Sequence, residues 1–225
     1  MKNFKILFLF IVFHCVAYSQ QKEDTLFLAK DKKRQQQVFV LPHSTEKDYD
    51  VVFPKLITEE TEGEYIDNFH FVVQDTTIQI HSVSRHGLVD MWVPLYIYNG
   101  EYYVTRPLPN KNLIGMLFTD TTLITQKIDG FGVEILLSSI KSKNSIDFMT
   151  LSTEKEVNTL SIYIIDKENE IAIWKKKTKD TVVYQLFVSA SHADQFPLVI
   201  QQCDELFFQF DDMDYNKILE INNLK

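Results

Sequence analysis

Histidines are the first residues in this chain whose types and spacing could do chemistry. His70 and His81 flank a stretch, Phe69–Ser82, in which apolar and polar residues alternate around Asp75-Thr76. A turn centred there pairs Val73 with Ile78, Phe71 with Ile80 and His70 with His81. Directly opposed residues on neighbouring strands lie about 4.5–5.5 Å apart at Cβ, close enough for two imidazoles to share a metal. His86 follows with Arg85 and Asp90 and could complete or tune the site. Zinc held by His70, His81 and His86 would activate water for hydrolysis. Without metal, two close imidazoles repel when both are charged and would sense pH. The plainer expectation is a pair of solvated histidines beside Gln74, Thr77 and Gln79, with Phe71, Val73, Ile78 and Ile80 forming a core face.

Two further groups follow. Asp211, Asp212 and Asp214 precede Tyr215-Asn216. Oxygen ligands at alternate positions resemble the opening of a calcium loop, but Lys217 stands where such a loop needs Gly, and Asn223 where it needs a bidentate Glu. A looser calcium site on these three carboxylates is one expectation. Capping of a following helix is the other. The third group is an aromatic row, Trp92, Tyr96, Tyr98 and Tyr103. Exposed, it would suit a glycan or a protein partner. Buried, it is core, as expected of a hairpin that is apolar on both faces.

No Gly-rich phosphate loop, G-x-S-x-G elbow or H-E-x-x-H motif occurs, and no pair of acidic residues is singled out for glycosidase work. The reading therefore leans away from an enzyme, toward a non-catalytic binding or structural protein. A metal-dependent hydrolase built on the histidines is the alternative. No cofactor is expected unless zinc or calcium occupies one of the sites above.

Strands must position these residues. Aromatic and β-branched residues abound, which suits pleated sheets. Asn99-Gly100 is the strongest turn signal, since both central residues of a type I′ turn need φ > 0. It predicts the pairs Tyr98–Glu101, Ile97–Tyr102, Tyr96–Tyr103 and Leu95–Val104. Further hairpins are expected at Asp129-Gly130, Asp120-Thr121, Lys179-Asp180 and Asp166–Glu170. Recurrence of Asp-Thr at 24, 75, 120 and 180 reads as shared turn chemistry rather than as a repeat. Helical periodicity is recognised only near the end, where Tyr215, Ile218 and Leu219 share a face. The expected fold is mostly β, an antiparallel meander closing as a sandwich or barrel with a short C-terminal helix; a small irregular propeller is the alternative. Residues 20–225 form one domain in this reading. The acidic stretch 44–67 is read as a loop or boundary.

Residues 1–19 have the composition of a secretory signal peptide. Lys2 and Lys5 precede an apolar run from Ile6 to Val16, and Ala17-Tyr18-Ser19 offers small residues for cleavage. The expected location is secreted or periplasmic, with no membrane span after cleavage. Loss of Lys2 and Lys5 reduces 23 basic residues to 21 against 31 acidic ones, a net charge of −10. That field disfavours nucleic acid as a partner and leaves an unknown protein or glycan. Of the two cysteines, only Cys203 lies outside the leader, so no internal disulfide is expected. Its apolar neighbours predict a small buried hydrophobe.

Overall fold

The computed structural model describes residues 26–31, 36–41, 59–74, 78–105, 113–202 and 209–224. The strands among them are β1 (Leu26–Asp31), β2 (Gln36–Leu41), β3 (Met91–Tyr98), β4 (Glu101–Thr105), β5 (Leu113–Phe118), β6 (Thr122–Lys127), β7 (Gly130–Lys141), β8 (Ile146–Leu151), β9 (Val157–Asp166), β10 (Ile171–Lys177), β11 (Val182–Ser189) and β12 (Leu198–Gln202). Helix α1 spans Glu59–Val73, a 3-10 turn spans Ala190–Gln195, and α2 spans Tyr215–Ile221. The expected mostly-β meander is present, and its closure is a barrel.

Strands β5 to β11 pair in chain order, each antiparallel to the next. Strand β11 then pairs with β3 and β3 with β5, closing eight strands into a ring. Strand β3 serves two sheets. Met91 and Trp92 face Leu117 and Met116 of β5, whereas Leu95 to Tyr98 pair with β4. Pro94, which has no N–H to donate, sits at the handover. Beyond β4 the outer sheet continues through β12 and β2 to β1, the β4–β12 pairing being parallel.

Alternation explains why the strands read so apolar. On β10, Ala172 and Trp174 point into the barrel, where they pack with Phe118, Phe148, Ile162 and Phe187. Ile171 and Ile173 point outward, into a second core shared with Val93, Leu95, Val104, Leu198 and Leu219. A strand buried on both sides needs an apolar residue at every position. The barrel centre is an aromatic plug. Trp174 lies 4.6 Å from Phe187, 5.5 Å from Phe118 and 5.8 Å from Trp92 between ring centroids, and Phe118 lies 5.0 Å from Phe148. Full burial of each such side chain contributes about 1.5–3 kcal/mol.

The turns form as their chemistry demands. Asn99 (φ 52°) and Gly100 (φ 82°) are both left-handed, and the four expected pairs of this hairpin are observed. Hairpins also form at the other four expected sites among the described residues. At Gly130 the backbone (φ 135°) is one that L side chains rarely adopt, and the Glu64 carboxylate lies against its open side. Three turns share one hydroxyl device: Thr119, Ser142 and Thr178 each accept from the backbone N–H three residues on, at 2.9, 2.9 and 3.1 Å. Their Oγ atoms also bond the hydroxyls of Thr122, Ser145 and Thr181. These side chains set the turn where Gly and Pro are scarce. Asp120-Thr121 and Asp180-Thr181 lie within two of these turns; Asp24 and Asp75 lie outside the described residues.

One expected hairpin is replaced. Residues 59–73 form α1, so Phe69–Val73 are helical, and Ile78–Arg85 carry no regular structure. Spacing of i, i+3 and i+4 aligns Phe69, Val72 and Val73 on one helix face, which packs against Ile135, Leu137 and Leu151 outside the barrel. Phe71, read as core in a strand, is instead 58% exposed, and Ile78 and Ile80 are also exposed. Part of the acidic stretch, from Glu59, is therefore the start of α1; residues 44–58 lie outside the described residues. Helix α1 is fastened at its end by Lys155, whose Nζ donates to the carbonyls of Phe71, Val72 and Gln74 at 2.8, 2.7 and 2.7 Å. Residues 1–19, read as a signal peptide, and Cys203 lie outside the described residues.

Candidate functional site

A closed barrel with a plugged centre leaves two ends at which side chains converge. At one end the β7–β8 and β9–β10 turns and the segment before β3 surround a pocket of about 370 Å³. Its floor is apolar: Leu88, Trp92, Ile146 and Ile162 belong to the barrel core, and Ile164 packs against it. Its rim carries Lys141, Lys143, Lys167 and His86. Glu170 is the one carboxylate in the lining, and it faces His192 at 3.1 Å. The arrangement is an apolar floor under a cationic mouth. The C-terminal segment adds Leu224 to the wall, held there by a helix-ending motif in which Leu224 N–H donates to Leu219 O and Asn223 N–H to Glu220 O, with Asn223 at φ 52°.

His86 is built into this lip. Both His86 (φ 55°) and Gly87 (φ 87°) are left-handed, an unusual backbone for histidine. Three bonds hold it. The His86 amide donates to Ser84 Oγ at 3.2 Å, Lys141 Nζ donates to the His86 carbonyl at 3.3 Å, and the ring Nε2 lies 3.1 Å from Ser139 Oγ. Ser139 spends its single hydroxyl proton on the Ser84 carbonyl at 2.6 Å. Its oxygen must therefore accept from His86 Nε2–H, which in the neutral ring leaves Nδ1 as the acceptor. Arg85 pairs with Asp90 beside it.

The other expected site residues lie apart from this pocket. His70 sits in the last turn of α1 with its ring 6.2 Å from Phe69. His81 lies in the irregular segment, its Nδ1 3.1 Å from Gln79 O. The strand pairing that would have opposed these two does not form, because Phe69–Val73 coil onto the barrel. Among the described residues no group of three His, Cys, Asp or Glu could hold a metal ion. Asp211 donates its amide to Ile97 O and accepts from Gly100 N–H at 3.4 Å, which clamps the β3–β4 turn. Asp214 caps α2 by accepting from Lys217 N–H at 3.0 Å. Asp212 is exposed between them.

The aromatic row divides. Trp92 is buried in the barrel, its Nε1–H donating to Val89 O at 3.1 Å. Tyr96 stacks on Phe210 at 4.7 Å, and Tyr98 meets Tyr103 edge-on at 6.5 Å. Together with Val38, Val40 and Val199 these rings build a small core under the outer sheet. Burial, with Tyr215 adding to it, pushes the Tyr96 phenol well above the usual tyrosine range. Burial likewise raises Tyr103.

Sequence reasoning passed over the lysines of the pocket rim and Ser139. Lys141-Ser142-Lys143 gave one signal, two cations at a strand end, but only closure of the barrel brings Lys167 and the apolar floor beneath them. No helix among the described residues is long and apolar enough to cross a membrane. No family model matches this sequence, and no curated protein or solved structure matches it.

Proposed function

We propose that this chain is an exported, non-catalytic binding protein whose barrel takes up a small amphipathic anion at the end lined by Trp92 and Lys141. The observation that supports it is the pocket itself: an apolar floor of Leu88, Trp92, Ile146 and Ile162 below three lysines, in about 370 Å³. That size lies near the lower bound of ligand pockets, about 300–1,000 Å³. A short hydrocarbon group gains by leaving water for the floor, and a carboxylate or sulfate head gains from Lys141, Lys143 and Lys167. Export rests on the composition of residues 1–19. The binding role first motivated by the aromatic row moves to the barrel end, since Trp92 faces inward.

Trp92 forms part of the floor, and the only other tryptophan, Trp174, lies 5.8 Å from it. Intrinsic fluorescence therefore reports on the pocket. Titration with octanoate is expected to give a saturable change, weakened in Lys141→Glu and Lys143→Glu. Octanol or octyltrimethylammonium acting as strongly as octanoate, or no saturable change at all, would sink the proposal.

A further inference from the structure

One group in the pocket lined by Trp92 and Lys141 works against a simple anion. Glu170 is the only carboxylate in the lining, and it shares that space with Lys141, Lys143 and Lys167. A like charge beside the site repels an anionic ligand. Among the described residues, none of the three lysines forms an ion pair with Glu170. The pocket therefore offers separate positive and negative groups over one apolar floor.

Glu170 is held from behind. Its backbone is left-handed (φ 51°), which is uncommon for any residue but glycine, and its carbonyl accepts from Ser189 N–H at 3.1 Å. The carboxylate Oε2 accepts from Ser191 Oγ at 3.4 Å and lies 3.1 Å from His192 Nδ1. That imidazole is anchored in turn, since Nδ1 lies 3.0 Å from the hydroxyl of the fully buried Ser189. Both partners engage the same oxygen. Among the described residues Oε1 has no hydrogen-bond partner. Glu170 keeps 31% of its side-chain surface exposed and lines the pocket, so a donor placed there can reach the carboxylate.

We propose that the ligand of this pocket carries an ammonium group beside its carboxylate and is an apolar α-amino acid. The inference rests on the reading of the pocket as the site of an amphipathic anion, and it names the chemical class. The hydrocarbon side chain rests on Trp92 and Ile162, the carboxylate meets the lysines, and the ammonium donates to Glu170. Lysine stems are long and flexible, so their ammonium groups can close on a carboxylate held next to Glu170. An ammonium turns Glu170 from a repelling neighbour into the acceptor of a charge-assisted hydrogen bond, the stronger kind.

The test is a tryptophan-fluorescence titration with four ligands built on one hydrocarbon chain: octanoate, L-α-aminooctanoate, its N-acetyl derivative and octylamine. α-Aminooctanoate is expected to bind at least about tenfold more tightly than octanoate, a difference of about 1.4 kcal/mol. N-acetylation removes the positive charge and should erase that gain. Octylamine lacks the carboxylate and should bind more weakly than α-aminooctanoate. In Glu170→Gln the gain should also vanish, because octanoate loses a repelling neighbour while α-aminooctanoate loses its partner. The N-acetyl comparison is made on the unaltered protein, so it decides the matter if Glu170→Gln misfolds. Saturable binding of octanoate with no gain from the ammonium, or a gain that survives N-acetylation or Glu170→Gln, would overturn this assignment and leave the anion pocket standing. No saturable change with octanoate or α-aminooctanoate, or octylamine binding as tightly as α-aminooctanoate, would remove the anion pocket and this assignment with it.

Discussion

Removal of the Lys176 ammonium, which pairs with Glu134 inside the barrel, should expose how tightly that pair is balanced. Glu134 keeps 10% of its side-chain surface exposed and Lys176 34%. In Lys176→Met the carboxylate stays inside the barrel with Thr150 as its remaining partner. Breaking a buried pair from one side costs about 3–5 kcal/mol. Lys176 is a third exposed, so water already screens part of the attraction, and the cost should fall to about 2–4 kcal/mol. For a domain of this size each kcal/mol moves the thermal midpoint by about 2–4 °C, which gives a drop of about 4–16 °C. The sharper quantity is the comparison with Glu134→Leu/Lys176→Met. That double variant buries no charge, so it should recover most of the loss, even though it gives up the Thr150 bond. Urea unfolding of wild type, both single variants and the double variant closes the cycle. A Lys176→Met protein within about 0.5 kcal/mol of wild type would refute the reasoning, because Glu134 would then have to be solvated.

Two further outcomes follow from the turns and from α1. Asp166 accepts from Asn169 Nδ2 at 2.7 Å and from the amides of Asn169 and Glu168; these bonds, the Asn169 side chain first, hold its carboxyl below the usual 3.8. A lowered carboxyl contributes stability that is present above the unfolded value and is lost as pH falls through the folded one. Asn169→Ala should therefore lower the thermal midpoint near neutral pH and converge with wild type as pH falls through the lowered value of the folded Asp166 carboxyl; parallel curves would contradict this. Lys155→Gln removes the ammonium from the three carbonyls that end α1, and a cation at a helix C-terminus contributes about 0.3–1 kcal/mol. Amide exchange in the last turns of α1 should accelerate about two- to fivefold while β9 and β10 stay unchanged, and uniform exchange rates in both proteins would show that Lys155 does not hold the helix.

Much of the fold was readable because its signals are local. Asn99-Gly100 dictates left-handed backbone at two adjacent residues, so the register of β3 and β4 follows from the turn alone. The hairpins at Asp120, Asp129-Gly130, Asp166 and Asp180 were also marked by local turn residues, without two adjacent left-handed positions. Capping of α2 by Asp214 is likewise a bond over three residues. The misread segment, Phe69–Ser82, was the one where short-range alternation and helical spacing compete. Phe71 and Val73 fit a strand, whereas Phe69, Val72 and Val73 fit a helix. The outer surface offered by Ile135, Leu137 and Leu151, more than sixty residues away, decided for the helix.

The sequence by itself determined the hairpins at Asn99-Gly100, Asp120, Asp129-Gly130, Asp166 and Asp180, because each of these turns carries its own chemistry. It also determined that many strands are buried on both sides, because β10 has no polar position in its first four residues. Closure was left to tertiary structure: the ring shuts because the start of β3 pairs with both β5 and β11, long-range contacts that no local pattern encodes. The site came with closure. Lys141, Lys143 and Lys167 share a rim, and Glu134, Thr150 and Lys176 share one bonded group, because adjacent strands bring residues far apart in the chain to the same end of the barrel. Periodicity tells which face a residue takes; only the ring tells which other residues it will meet there.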